Sequence, residues 1–260
     1  MTNTFLTPRL EQAMELAIRV HGNMKRKGDD QPYLVHPMSV LALLVKWGAD
    51  EDACIAGLLH DVIEDADNDV QRAEYRKEIT KKFGAEVLEI VEGVTEQDKS
   101  LPWRTRKDLY LEHLKVASVT SLLVSCADHT HNSQSLAEIY AVEGEDVWKR
   151  FNAGKEEKLW YLRESIQILE QRLEERYVVD FRTNIERLYE LMSYPTSPKV
   201  DHPKILYPKV QADQKFMDNL VNRVIKNLGY RVERLDQEDR QMRRKMSDNT
   251  QNPPTHEPEA

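Results

Sequence analysis

The sequence predicts an all-α fold, and three observations predict it. Glycine (9) and proline (11) together make up about 8% of the 260 residues, against roughly 12% in average usage, a deficit that disfavours turn-rich β architecture. Apolar residues recur three and four positions apart through most of the chain, the period of a helix that buries one face. The β-branched runs Val62-Ile63 and Val178-Val179 are too short to be strands of their own.

Each element can be justified in turn. Thr7 followed by Pro8 is a helix start, since proline fits the first helical position, where its missing N–H is not needed. Leu10, Ala13, Met14, Ala17, Ile18 and His21 then fall on one face. His21 on that face reads as a packed or orienting histidine before it reads as a substrate contact. A second helix follows His36-Pro37, carries Val40, Leu41, Leu44 and Val45, and stops at Gly48. Asp50 caps a third, whose apolar run Ala53 to Leu59 leads into His60-Asp61. Further helical patterns cover 70–83, 85–94, 104–116, 119–141 and 155–193.

The composition changes near residue 194. Seven of the prolines lie from Pro195 onward, and that part has 12 basic against 10 acidic residues, while the first 194 residues are strongly acidic. The expected organisation is a folded domain over 1–194, a proline-punctuated linker over 195–211, a helical appendage over 212–246 and a disordered tail over 247–260. The apolar stripe from Phe216 to Leu228, closed by Gly229, is the ordered part of that appendage and needs a surface to cover it.

Composition also excludes function classes. A formal net charge of −8 argues against broad nucleic-acid binding, which needs a basic face. There is no run of 18 apolar residues and no apolar segment near Met1, so neither a membrane span nor a secretory signal is expected. Cys54 and Cys126 lack metal or redox spacing, and reduced thiols in the cytoplasm are the simplest reading. No nucleic-acid or membrane partner is expected, and self-association is left open.

The chemistry centres on His60-Asp61. Two adjacent residues carry little information alone, but these end an apolar helix and run into Val62-Ile63-Glu64-Asp65. On a continuing helix His60 would share a face with Glu64, and Asp61 with Asp65, each pair four apart. Unpaired carboxylates beside a hydrophobic core cost several kcal/mol each, so a cation is the simplest explanation. His36 and Asp128, the latter ending the run Leu122 to Ala127, could complete a mixed nitrogen and oxygen site. Such a set suits a divalent ion such as Mn²⁺ or Fe²⁺ better than a closed structural zinc site.

Four stretches carry a resemblance. They are Arg26-Lys27-Gly28 with Pro32-Tyr33 and His36-Pro37, then Gly57 to Asp65, then Glu92 to Pro102, then Ala127-Asp128 with His131-Asn132. In this order they resemble the HD hydrolase domain of the Rel/SpoT alarmone enzymes. With the segment Trp148 to Glu157 they resemble in particular the single-domain branch, the small alarmone hydrolases. The resemblance covers roughly residues 7–175 and implies an HD-domain helical bundle. It also implies hydrolysis of the 3′-pyrophosphate of guanosine tetra- or pentaphosphate, with Mn²⁺ as cofactor and an alarmone synthetase as functional counterpart. Carried over by position, it makes His36, His60, Asp61 and Asp128 the metal ligands. Glu64 and Asp65 become the pair that orients or deprotonates water, Asn132 a ligand contact, and Arg26 a residue near the base. An acidic enzyme needs local positive charge to admit a polyanion, and Lys25, Arg26, Lys27 and Lys99 could supply it.

The sequence departs from the family pattern at three places. The loop from Arg26 to Pro32 is one residue longer, so Lys25 could be the nucleotide-facing residue instead. His129 follows the aspartate where arginine or lysine is usual, and Ser125 replaces a lysine. These changes bear on substrate preference, so a phosphohydrolase acting on another nucleotide, such as an adenosine alarmone, remains an alternative. A non-catalytic nucleotide-binding module is a third, although such a module has little use for a water-activating carboxylate.

Overall fold

The computed structural model describes residues 7–26, 32–96 and 99–193, and the secondary structure within them is helical. The expected linker, apolar stripe and tail beyond Ser193 lie outside the described residues, as does Lys27. Helix α1 spans Pro8–His21, α2 Val35–Lys46, α3 Glu51–Leu59, α4 Asp69–Phe83 and α5 Ala85–Glu92. They are followed by α6 Trp103–Val116, α7 Val119–Glu143, a 3₁₀ helix Gly144–Arg150, α8 Gly154–Arg172 and α9 Glu175–Ser193. Among the described residues no strand forms, and Lys25 and Pro32 make an isolated antiparallel bridge. No described helix is long and apolar enough to cross a membrane.

The caps at Thr7 and Asp50 are where the sequence placed them, and Ser118 adds one that the sequence reading did not name. The Thr7 side chain accepts from the Leu10 N–H, Asp50 from Ala53 N–H and Ser118 from Ser121 N–H, satisfying amides that a helix start leaves open. Gly48, after α2, takes φ +72°, the left-handed backbone that favours glycine. Arg9 joins three elements: its guanidinium donates to Glu51, to Asp52 at 2.8 Å and to the Phe83 carbonyl at 2.8 Å.

Two halves meet along α7. On one side α1, α2, α3 and α5 pack around a core that includes Leu41, Leu44, Ile55, Leu58 and Leu59, all at most 2% exposed. On the other, α6, α8, the 3₁₀ helix and α9 bury Leu114, Leu122, Leu169 and Phe181 against α7. Each such aliphatic or aromatic side chain contributes roughly 1.5–3 kcal/mol by leaving water. On α9 the buried residues are Val178, Phe181, Ile185 and Leu188, spaced three and four apart.

Two sequence expectations need correction. The pattern over 155–193 is two helices, broken where Leu173 is extended (φ −114°, ψ 154°). No glycine or proline marks the break. It is a tertiary effect: Arg172 donates to the Lys115 and Ala117 carbonyls, Leu173 is buried, and α9 turns back along α7. The second concerns His60 to Asp65, which follow α3 as consecutive turns and not as regular helix. One helical bond survives there, Asp65 N–H to the Asp61 carbonyl at 2.8 Å. The 3₁₀ helix was not foreseen from the sequence.

Gly57 sets how closely α3 approaches α2. A Cβ there would sit 2.3 Å from Leu44 Cδ1 and 3.2 Å from Val40 Cγ1, and overpacking of this kind typically costs about 1–3 kcal/mol. Gly57→Ala is therefore expected to lower thermal stability by that amount in calorimetry, because the α2–α3 contact must open. An unchanged melting temperature would show that Leu44 moves aside at no cost.

Candidate active site

Three helices deliver the central residues. His36 is the second residue of α2, His60 and Asp61 directly follow α3, and Asp128 lies on α7 one turn before Asn132. Because α2, α3 and α7 all pack on one another, these side chains converge. His36 Nε2 lies 3.1 Å from His60 Nε2 and 3.0 Å from Asp128 Oδ1. Asp61 Oδ2 lies 3.1 Å from His60 Nε2 and 3.6 Å from His36 Nε2. Ligand atoms of His36, His60 and Asp128 all fall within 4.8 Å of one another. Donors bound at 2.0–2.1 Å and at right angles around one ion would stand about 3 Å apart.

The hydrogen bonds behind the rings set which nitrogen faces inward. His60 Nδ1 donates to the Gly57 carbonyl at 2.8 Å. His36 Nδ1 meets His131 Nδ1 at 2.8 Å, and Arg26 Nη1 points at the same His131 nitrogen from 3.1 Å. Arginine can only donate, so His131 Nδ1 is an acceptor and His36 Nδ1 carries the proton. Burial, with His36 and Arg26 nearby, holds His131 at about 3 and hence neutral. Both Nε2 atoms thus face two carboxylates. Tyr33 donates to Asp61 Oδ2 at 2.5 Å, and Asn132 Nδ2 to Asp128 Oδ1 at 2.5 Å while its own Oδ1 receives Arg26 at 2.8 Å.

Electrostatics favours a positive charge at the centre. Burial opposes ionisation of Asp61 and Asp128, yet the neighbouring histidines hold both well below the usual carboxylate range. Burial also pushes His60 down, but Asp61 and Asp128 outweigh it and raise it to about 10. Two inward imidazole nitrogens and two carboxylates are a fitting donor set for a divalent cation, and His36, His60, Asp61 and Asp128 could hold one.

A cleft with a cavity volume of about 180 Å³ opens over this cluster. Arg26, Asn132, Glu64, Lys107, Tyr110 and Tyr161 line it along with Tyr33 and the central four. Glu64 accepts from the Glu96 N–H at 3.3 Å. Burial raises Glu64 to about 7, helped by Asp61 and Glu96 and opposed by Lys99 and Lys107. Asp65 is not among the lining residues: its Oδ1 lies 3.3 Å from Lys99 and its Oδ2 3.5 Å from His21. Lys99 also reaches Glu64 at 3.6 Å, so it is engaged by the acidic pair. Lys25 is exposed beside the bridge to Pro32 and does not line the cleft.

Sequence reasoning missed Lys107, Glu96, Tyr110 and Tyr161. Lys107 pairs with the buried Glu96 and stands 4.4 Å from the centre of the Tyr161 ring. The packing of α6 against α8 brings Lys107, Tyr110 and Tyr161 together, while Glu96 lies between α5 and α6. Tyr33 lay within a quoted motif, with no local signal of its bond to Asp61. His129, marked as a departure, is buried against Tyr110, Tyr161 and Phe181.

The raised His60 value has a measurable consequence. Near neutral pH the imidazole is protonated without metal, and ion uptake must displace that proton. Affinity for one divalent ion is expected to rise with pH, about tenfold per unit for one proton displaced. Calorimetric titrations in buffers of different ionisation heat check this, and Asp61→Ala should abolish or severely weaken binding. Uptake without proton release would contradict it.

The family described as HD domain matches residues 13–157. A guanosine-3′,5′-bis(diphosphate) 3′-pyrophosphohydrolase of Haemophilus influenzae is 34% identical over 120 residues, 44% of this chain and 16% of the relative. The bifunctional (p)ppGpp synthase/hydrolase SpoT of Escherichia coli K12 is 34% identical over 137 residues, 50% of this chain and 18% of the relative. The chain thus matches less than a fifth of the length of these curated relatives. A solved structure of a metazoan ortholog of SpoT, described as hydrolysing ppGpp and playing a role in starvation responses, superposes with a TM-score of 0.57 at 23% identity. That superposition covers 71% of this chain and 97% of the other, and at this identity it shows a shared fold. With the family match extending over more than half of its residues, this chain belongs to the HD-domain family.

Proposed function

We propose that the chain is a metal-dependent pyrophosphohydrolase that removes the 3′-pyrophosphate of guanosine tetra- and pentaphosphate. The products would be GDP or GTP and pyrophosphate, and the cofactor Mn²⁺. The observation that carries this reading is Glu64: a carboxylate raised to about 7, lining the cleft next to the convergent His36, His60, Asp61 and Asp128. The similarity to named 3′-pyrophosphohydrolases supplies the substrate class.

His36, His60, Asp61 and Asp128 hold the cation. When bound, such an ion acidifies water and polarises a phosphoryl oxygen. Glu64 takes the proton of the attacking water, a role suited to a carboxylate tuned toward neutrality. Oxygen of that water bonds to the phosphorus on the 3′ oxygen, the bond between that phosphorus and the 3′ oxygen breaks, and the 3′ oxygen keeps the electron pair and takes up a proton from solvent. Arg26 and Lys107 offset phosphate charge, while Asn132 meets the nucleotide from the Asp128 side. Asp65 supports Glu64 from behind with Lys99. The reading places the chain in the cytoplasm, where a cognate synthetase would supply its substrate.

The direct test incubates the full chain and Mn²⁺ with a panel of guanosine and adenosine nucleotides, with and without 3′-pyrophosphate. Release of pyrophosphate from the guanosine 3′-pyrophosphates above all others is expected. Orthophosphate as the main product, or preference for the adenosine series, would overturn the assignment.

Glu64→Gln keeps size and removes the base, so kcat is expected to fall by roughly 10²–10⁴-fold with metal content unchanged. In the unsubstituted enzyme kcat/KM should rise with pH as Glu64 ionises. A cation lowers the metal-free value, so that limb falls between the ordinary 4.5 and about 7. Glu64→Gln should remove the limb; a variant that keeps it would place the base elsewhere.

The same reading makes residues 195–260 dispensable for chemistry, since every residue used above precedes Ser193. Truncation after Ser193 is expected to leave a folded, metal-binding hydrolase in circular dichroism and turnover assays. A folded but inactive truncation would assign the appendage to the active site.

A further inference from the structure

His21 ends α1 and is wholly buried, at 0% exposure. Among the described residues neither of its ring nitrogens has a hydrogen-bond partner, and the same holds for Asp65 Oδ2, another buried atom. These orphaned groups face one another: His21 Nε2 stands 3.5 Å from Asp65 Oδ2. Buried polar groups are almost always satisfied, because leaving one unpaired forfeits its hydration. An aliphatic side chain would fill this place without that penalty, so packing alone does not explain an imidazole. A shift of a few tenths of an ångström closes the gap to an ordinary hydrogen bond.

The other neighbours give this contact its meaning. Asp65 Oδ1 is engaged by Lys99 at 3.3 Å, so the two oxygens are approached from opposite partners. The His21 ring also lies 4.8 Å from the Tyr33 ring, tilted by 41°, and Tyr33 holds Asp61 through its hydroxyl. One buried ring therefore touches Asp65 directly and reaches Asp61 through one intermediary.

We propose that His21 is a positioning residue whose Nε2–H donates to Asp65 Oδ2 and, with Lys99 on Oδ1, fixes the Asp65 carboxylate behind Glu64. Its kinetic consequence rests on the reading that Glu64 and Asp65 serve hydrolysis; the contact itself does not.

Two measurements on the full chain test it. The first is kinetic, with guanosine tetraphosphate and Mn²⁺. His21→Leu fills the space without a donor and should lower kcat at least tenfold, with KM and metal content little changed. His21→Gln restores a donor at similar reach and should recover most of the loss. In an Asp65→Ala background His21→Leu should have no further effect on kcat. The second needs no activity: nitrogen-15 spectra of the histidine rings should show a protected His21 Nε2–H resonance that shifts or is lost in Asp65→Ala. Equal kcat in His21→Leu and the unsubstituted protein, or a His21 resonance indifferent to Asp65→Ala, would overturn the proposal. Should the unsubstituted protein fail to hydrolyse the nucleotide, the functional reading falls and the ring spectra still decide the contact.

Discussion

Four electron-pair donors converge where α2, α3 and α7 meet, and the structure around them follows from what that convergence requires. Two imidazole nitrogens 3.1 Å apart, flanked by two carboxylates, are unfavourable unless positive charge lies among them. A proton on His60 meets the need in part, which is why that ring is raised to about 10 in spite of its burial. A divalent cation meets it fully, and the donor atoms of His36, His60 and Asp128 already lie within 4.8 Å of one another.

Orientation is enforced from behind. The Gly57 carbonyl holds His60, His131 holds His36, Tyr33 holds Asp61 and Asn132 holds Asp128. Arg26 ties two of these supports together by donating to both His131 and Asn132. Partners of this kind fix the tautomer and the angle of each ligating group. Because Arg26 also lines the cleft, a ligand that drew its guanidinium away would disturb the supports of His36 and Asp128 together. The wall of the cleft and the supports of His36 and Asp128 thus share one side chain.

Much of this was legible in the residues. Caps at Thr7 and Asp50 and the spacing on α1, α2 and α3 carried the helices, since local hydrogen bonds and one-sided burial decide them. The convergence of His60, Asp61 and Asp128 was legible because histidine and aspartate at the ends of apolar runs are expensive to bury and so demand a reason, and His36 joined them through its place at the start of α2. What was not legible depends on tertiary packing. The break at Leu173 follows from Arg172 binding the end of α6, with no helix-breaking residue nearby. Lys107 and Tyr161 look like ordinary surface and core residues of two helices until those helices pack. Lys99 read as a phosphate contact because of its charge, yet two nearby carboxylates claim it.

A single cation is expected at the centre of the four donors. Anomalous diffraction from crystals of the full chain grown with Mn²⁺ tests it directly. One peak per chain is expected, within bonding distance of His36 Nε2, His60 Nε2, Asp61 Oδ2 and Asp128 Oδ1. A peak among Glu64, Asp65 and Glu96, or none at all, would contradict it.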